Sequence, residues 1–148
     1  MPDAISEPMA CYCLGFEWNR GEEAGDATDI KTGRQIEFKA TSRFDGDLSS
    51  FGPGTKFDDL IFLRFDLDNN RLYIYDLNID SEEFAKLPAN KTQTIQDQKN
   101  QGRRPHVSLY EMFIKNKDVK PDVIFDIRRC KKYDMEDQEY WEALKNRM

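Results

Sequence analysis

Two runs of the chain crowd branched and aromatic residues in the manner of β-strands. Asp59–Phe65 (DLIFLRF) and Arg71–Leu77 (RLYIYDL) flank the polar stretch Asp66–Asn70, a pattern that predicts a hairpin. Ahead of them, Ala27–Lys31 and Arg34–Thr41 read as the arms of another hairpin, turning at Lys31-Thr32-Gly33. Ile5 to Trp18 is mainly apolar with Ser6-Glu7 at its start, which predicts a short helix. Thr41–Lys56 holds Gly46, Gly52, Pro53 and Gly54 and reads as a loop. Ser81-Glu82-Glu83 has the form of an N-cap opening a short helix, and Val107–Ile114 is compatible with helix or strand. Pro121–Arg128 (PDVIFDIR) reads as a structural strand, and Asp134–Arg147 as a final helix capped by Asp134. Strands flanked by helices predict an α/β or α+β fold around a mixed sheet.

At 148 residues the chain is expected to form one domain, 1–148. Its charged fraction of 34% and hydrophobic fraction of 39% suit a soluble protein. No apolar run approaches membrane-spanning length, and Met-Pro-Asp-Ala-Ile-Ser lacks the basic-then-apolar form of a signal peptide. Cys11, Cys13 and Cys130 are odd in number and have no zinc spacing, so they read as free or buried thiols of a reducing cytoplasm. The net charge of −6 counts against generic affinity for nucleic acid. Local basic clusters, Lys99 to Arg104 and Arg128-Arg129 with Lys131-Lys132, leave room for an acidic protein with a basic cleft.

The chemically suggestive segment is Gly25-Asp26 followed by Glu37-Phe38-Lys39. Residues two apart on a strand share a face, so Glu37 and Lys39 project together while Ile36, Phe38 and Ala40 project the other way. Two carboxylates and an ammonium group brought together could hold a divalent cation and activate water against a phosphodiester. The plain alternative is a solvated strand face with a cross-strand ion pair, contributing a few tenths of a kcal/mol. Asp-x-Lys triplets recur at Asp29, Asp97 and Asp118, so such spacing arises easily here. Only Glu37-Phe38-Lys39 sits in a convincing strand. The turn leaves the partner acid open: a two-residue Thr32-Gly33 loop puts Asp26 opposite Lys39, whereas a three-residue loop puts Asp29 on the face of Glu37.

Asp26, then Glu37-x-Lys39 after a hairpin, resembles the core motif of the PD-(D/E)XK nucleases, with Gly25-Asp26 where that family often has Pro-Asp. Other segments follow in a similar order to small type II restriction endonucleases. They are Ile5-Ser6-Glu7, Ser49-Ser50-Phe51-Gly52-Pro53, Phe57–Phe62 and Gln101-Gly102-Arg103-Arg104-Pro105. The literal Pro121-Asp122 is a decoy, because no Glu-x-Lys or Asp-x-Lys follows it at a suitable distance.

The resemblance favours Asp26 over Asp29. It implies a restriction-endonuclease-like core, with a mixed central sheet flanked by helices. Asp26 and Glu37 would bind Mg²⁺ (with Mn²⁺ as a substitute), helped by the Phe38 carbonyl, and Lys39 would orient the attacking water. Glu7 would hold a metal-bound water or a second ion, against the plain reading of an acid favoured at a helix N-terminus. The implied reaction is hydrolysis of double-stranded DNA at a short specific sequence, leaving 5′-phosphate and 3′-hydroxyl ends. Ser42, Arg43, Ser49, Ser50, Lys56, Arg103 and Arg104 are the candidate DNA contacts, with Gln96, Gln98 and Gln101 able to read adenine or simply be solvated. His106, the single histidine, suits a phosphate contact better than base catalysis. Cutting both strands is most simply done by a two-fold homodimer, with Tyr140, Trp141 and Leu144 of the final helix as one candidate surface. A repair nuclease with the same core and a non-catalytic interaction module are the competing readings.

Overall fold

Seven strands in the order β1-β2-β3-β5-β6-β8-β9 form the central sheet, and β4 with β7 forms a separate two-stranded ribbon. The computed structural model describes residues 3–19, 25–134 and 136–137. Chain order runs α1 (Asp3–Leu14), β1 (Glu17–Trp18), β2 (Ala27–Thr28), β3 (Gln35–Thr41), β4 (Ser49–Ser50), β5 (Asp59–Asp66) and β6 (Arg71–Asp76). Then come α2 (Ser81–Ala85), α3 (Ile95–Asn100), β7 (His106–Val107), a π-helical turn (Tyr110–Ile114), β8 (Val123–Asp126) and β9 (Lys131–Asp134). Among the described residues of the large sheet, only β3 and β5 pair in parallel. Parallel neighbours need a crossover, and the 42–58 segment carrying β4 supplies it.

The central strands are apolar on both faces because each face is covered. On β5 and β6, Leu60, Phe62, Tyr73 and Tyr75 pack with Phe51, Phe84, Ile95 and Leu109 from the crossover, α2, α3 and the segment before the π-helical turn. Ile61, Leu63, Phe65, Leu72 and Ile74 turn the other way, toward Ala10, Cys11 and Cys13 of α1. The expected hairpin of β5 and β6 is present with Asp66 paired to Arg71. Mixed pairing and helices on the faces give the α+β fold that the element order predicted, with the restriction-endonuclease-like core that the resemblance implied.

Several boundaries differ from the sequence reading, each for a local reason. The first helix starts at Asp3 and stops at Leu14, because Gly15 takes φ +72° just past its end. Trp18 therefore lies on β1 rather than in the helix. Asp80, not Ser81, caps α2, its Oδ1 accepting the Glu83 N–H at 2.8 Å, while the Ser81 hydroxyl accepts the Phe57 N–H. The unforeseen α3 opens with a capping box between Thr94 and Asp97. Val107–Ile114 divides into the end of β7 and the π-helical turn. Asp134 closes β9, and the rest of the expected final helix, with Tyr140, Trp141 and Leu144, lies outside the described residues.

Away from these elements, one buried acid sets a pH dependence. Asp59 opens β5 at 2% exposure, hydrogen-bonds the carboxyl of Asp76, and is pushed up to about 7 by burial and then by Asp76. Between the ordinary carboxylate value and about 7 the folded chain holds a proton that the unfolded chain has released. Its stability therefore falls as pH rises through that window. Asp59→Asn keeps the shape and donates permanently to Asp76. It is expected to stabilise the fold at pH 8 by on the order of 1–2 kcal/mol and to change little at pH 4, read by urea unfolding at the two pH values.

Candidate active site

The β2–β3 hairpin turns more broadly than either register weighed from sequence. Ala27 pairs with Ile36 and Thr28 with Gln35, while Asp29 accepts N–H bonds from Thr32 and Gly33 and donates to Arg34. This four-residue turn, Ile30–Gly33, replaces both the two- and three-residue alternatives. Continued one step, the register sets Asp26 level with Glu37, on the same side of the sheet. The Asp29 carboxylate instead accepts the Lys31 N–H at 3.0 Å and belongs to the turn.

Asp26 is held at the point where β2 ends. Its N–H donates to the Ile36 carbonyl at 2.7 Å, and its Oδ2 accepts the Phe38 N–H at 2.8 Å, the donor a longer β2 would have paired. A strand residue points its N–H and C=O to one side, so the Phe38 carbonyl faces the same flank. Gly25 makes this approach possible. Its φ is +79°, and an added Cβ would stand 2.7 Å from the Ile36 carbonyl oxygen. Proline, confined near −65°, has no access to that conformation, which accounts for the departure from Pro-Asp.

These residues line a cleft of about 410 Å³ that also includes Glu7 and Asp3 of α1, Thr41, and the Asp47–Ser50 segment. Lys39 Nζ lies 3.5 Å from Glu37 Oε1 and 4.8 Å from the ring centre of the buried Phe51, so the ammonium is held between a carboxylate and an aromatic face. Glu7 Oε1 accepts the Trp18 indole N–H at 3.1 Å. Burial, then the neighbouring Asp26, raises Glu37 to about 7; burial chiefly raises Glu7 to about 7 as well, against the bond from Trp18. Burial also raises Asp26, opposed by the Phe38 N–H and by Lys39. Carboxylates that disfavour one another's charge around a single lysine are a donor set that a cation would relieve.

Among the described residues no three carboxylate, His or Cys side chains form a ready-made metal cage. Mg²⁺ does not need one, because it takes one or two carboxylates and keeps several waters. Two carboxylates, the Phe38 carbonyl and space for water therefore fit a hard divalent ion.

Reasoning from sequence passed over Asp3, Asp47 and Phe51. Asp47 accepts bonds from the hydroxyls of Ser49 (2.6 Å) and Ser108 (2.9 Å) and from the N–H groups of Leu109 (3.0 Å) and Tyr110 (2.9 Å). It fastens the crossover to the start of the π-helical turn. Buried Arg64 fastens the start of the crossover to β5 and β6: its guanidinium binds the Phe44 carbonyl through Nε and Nη2, reaches the Tyr75 hydroxyl at 2.9 Å and stacks 4.0 Å from the Phe44 ring. Only the sequence run of acids in the loop hinted at Asp47, and nothing hinted at its four partners.

The proposed DNA contacts separate by environment. Ser42, Arg43 and Lys56 are exposed on the crossover, and Ser50 lines the cleft. Ser49 is buried with its hydroxyl on Asp47. Ser49 and Ser50 pair with Val107 and His106, which brings the distant His106–Val107 strand to the cleft's wall. Arg104 rests against Gly52, whereas Arg103 donates to Gln93 and Gln101 at 3.3 Å, away from it. Gln98 is buried and donates to Gln93, so it is not available to read a base, whereas Gln96 and Gln101 are exposed.

A mixed sheet with an acidic, lysine-bearing cleft beside its short edge hairpin places this chain in the restriction-endonuclease-like class. It belongs to the Bsp6I restriction endonuclease family, whose model matches residues 1–116, and is therefore an endodeoxyribonuclease by class. The chain is 44% identical over 130 residues to the type II restriction enzyme Bsp6I of Bacillus sp. (strain RFL6), covering 88% of this chain and 74% of that protein. No solved structure matches it. The matched region runs from α1 through the π-helical turn and so includes every cleft residue.

Proposed function

We propose that this protein is a Mg²⁺-dependent type II restriction endonuclease, with Mn²⁺ able to substitute. It cuts double-stranded DNA at a short specific sequence and leaves 5′-phosphate and 3′-hydroxyl ends. The observation that carries the reading is the meeting of Asp26, Glu37 and Lys39 in one open cleft, in a chain of this family. Asp26, Glu37 and the Phe38 carbonyl would hold the ion, which when bound supplies positive charge to the scissile phosphate and a more acidic water. Lys39 donates toward the attacking water and offsets charge gathering on the phosphoryl oxygens. Phe51 holds that ammonium in place, and Glu7, fixed by Trp18, accepts from a water on the far side of the cleft. Ser42, Arg43, Ser50, Lys56 and Arg104 contact the DNA strand leaving the cleft, with Ser49 and Arg103 supporting them from behind. Two copies related by a two-fold axis each cut one strand. We place the reaction in the cytoplasm. Among the described residues, no helix is long and apolar enough to cross a membrane.

Incubation with a mapped plasmid and Mg²⁺, followed by sequencing of the ends, tests the reading. Discrete fragments with one common end sequence are expected. A smear, or cutting confined to junctions, would favour the repair reading, and intact plasmid with both Mg²⁺ and Mn²⁺ would remove the activity.

A further inference from the structure

A second depression, of about 380 Å³, lies between the crossover, α2 and α3. Thr55, Lys56, Ser81, Lys86, Gln96 and Lys99 face it, with Glu82 as its one carboxylate. Among the described residues, none of the three lysines has a carboxylate within 4.0 Å. The described side chains around the depression thus carry a net positive charge, in a chain whose net charge is −6. Lys86 and Lys56 are exposed, but Lys99 is half-buried. Its burial works against the ammonium form, while the negative field of Glu37 works for it. Cations gathered in excess of carboxylates on a concave wall create a local positive potential that attracts an anion. Hydroxyl and amide groups from Thr55 and Gln96 add hydrogen-bonding capacity suited to a phosphate oxygen.

We propose that this depression binds a backbone phosphate of the DNA, one that is not cut, through Lys86 and Lys99 together with Lys56. The proposal rests on the endonuclease reading and deepens it: the duplex continues past the cleft wall and is gripped there, which fixes the scissile phosphate against Lys39. Contacts of this kind set register along the strand without reading bases. Lys86 and Lys99 then add affinity that is sensitive to salt and indifferent to sequence.

The test measures binding of a fluorescent 30-base-pair duplex, carrying the sequence cut in the plasmid digest, by anisotropy in EDTA across a salt series. Wild type is compared with Lys86→Ala/Lys99→Gln, with Lys99→Arg, and with Lys91→Ala as an exposed lysine outside the depression. The double variant is expected to lose about 0.9 from the slope of log K against log salt, the value for one phosphate contact. Lys99→Arg and Lys91→Ala should keep the wild-type slope, and thermal unfolding of each variant separates lost contacts from lost fold. A wild-type slope in a folded double variant overturns the phosphate site alone. A wild type that binds no duplex at all overturns the endonuclease reading with it. Inorganic phosphate that shifts the Lys99 side-chain resonances, with the DNA slope unchanged in the double variant, would make the depression a free-phosphate site and overturn its assignment to DNA.

Discussion

Replacing Lys39 by alanine is expected to lower the rate of DNA cleavage by about 10³-fold or more, while the protein stays folded. Removing one preorganised donor aimed at developing charge commonly costs 10²–10³-fold, and among the described residues Lys39 is the single basic one lining the cleft. Glu37→Gln should be equally damaging, since the amide keeps the shape but removes the charge that would hold the cation. The two variants differ in stability, and this makes the pair informative. Glu37 is raised to about 7 in the folded chain, so above pH 7 its ionised form is held in the cleft at a cost. Glu37→Gln should therefore be at least as stable as wild type at pH 8 in EDTA, because it removes a destabilising charge. Cleavage assays alongside thermal unfolding check both statements. Cleavage by Lys39→Ala within tenfold of wild type would remove Lys39 from the chemistry. Loss of activity only in step with loss of fold would make both groups structural.

The second large effect is expected at a residue that bears no chemistry. Gly25→Ala should reduce cleavage by about 10²-fold, because it pushes Asp26 away from the end of β3. The new Cβ would meet the Ile36 carbonyl oxygen at 2.7 Å and sit at φ +79°, so the backbone must shift where Asp26 is anchored. A displacement of about 1 Å in a reacting constellation can cost that much. A non-glycine residue at such a φ adds on the order of 1–3 kcal/mol of strain, visible as a lowered melting temperature. Gly33→Ala is the control: it too has positive φ, at +76°, but nothing lies within 4 Å of the added atom. It should share the strain and spare most of the activity. Equal cleavage by the two variants would mean that Gly25 does not position Asp26.

Much of the architecture was legible because its signals are local. The β5–β6 hairpin announces itself through two apolar runs around Asp66–Asn70, and it forms there. Glu37 and Lys39 share a face by the period of the strand alone. The hairpin register was not legible in the same way: Thr32-Gly33 and Lys31-Thr32-Gly33 are both good short turns, yet the chain adopts a four-residue turn closed by Asp29 and Arg34. What selects it is the packing of Ala27 and Ile36 beneath α1, together with the bond from the Phe38 N–H to Asp26. Val107–Ile114 was ambiguous for a related reason. Its first residue, Val107, pairs with Ser49 far back in the chain, and the N–H groups of Leu109 and Tyr110 donate to Asp47.

From the residues alone come the apolar runs that must pair, the face shared by Glu37 and Lys39, and the motif order that resembles a nuclease. These follow from periodicity and side-chain chemistry, which act over a few neighbouring positions. Tertiary structure set Asp26, the acid the resemblance favoured, level with Glu37, and it alone set Phe51 under Lys39, turned Ser49 inward to Asp47, and gathered Lys56, Lys86 and Lys99 around one depression. Each of those depends on burial and on partners far apart in the chain, where many pairings satisfy the local rules and only the packed core selects among them.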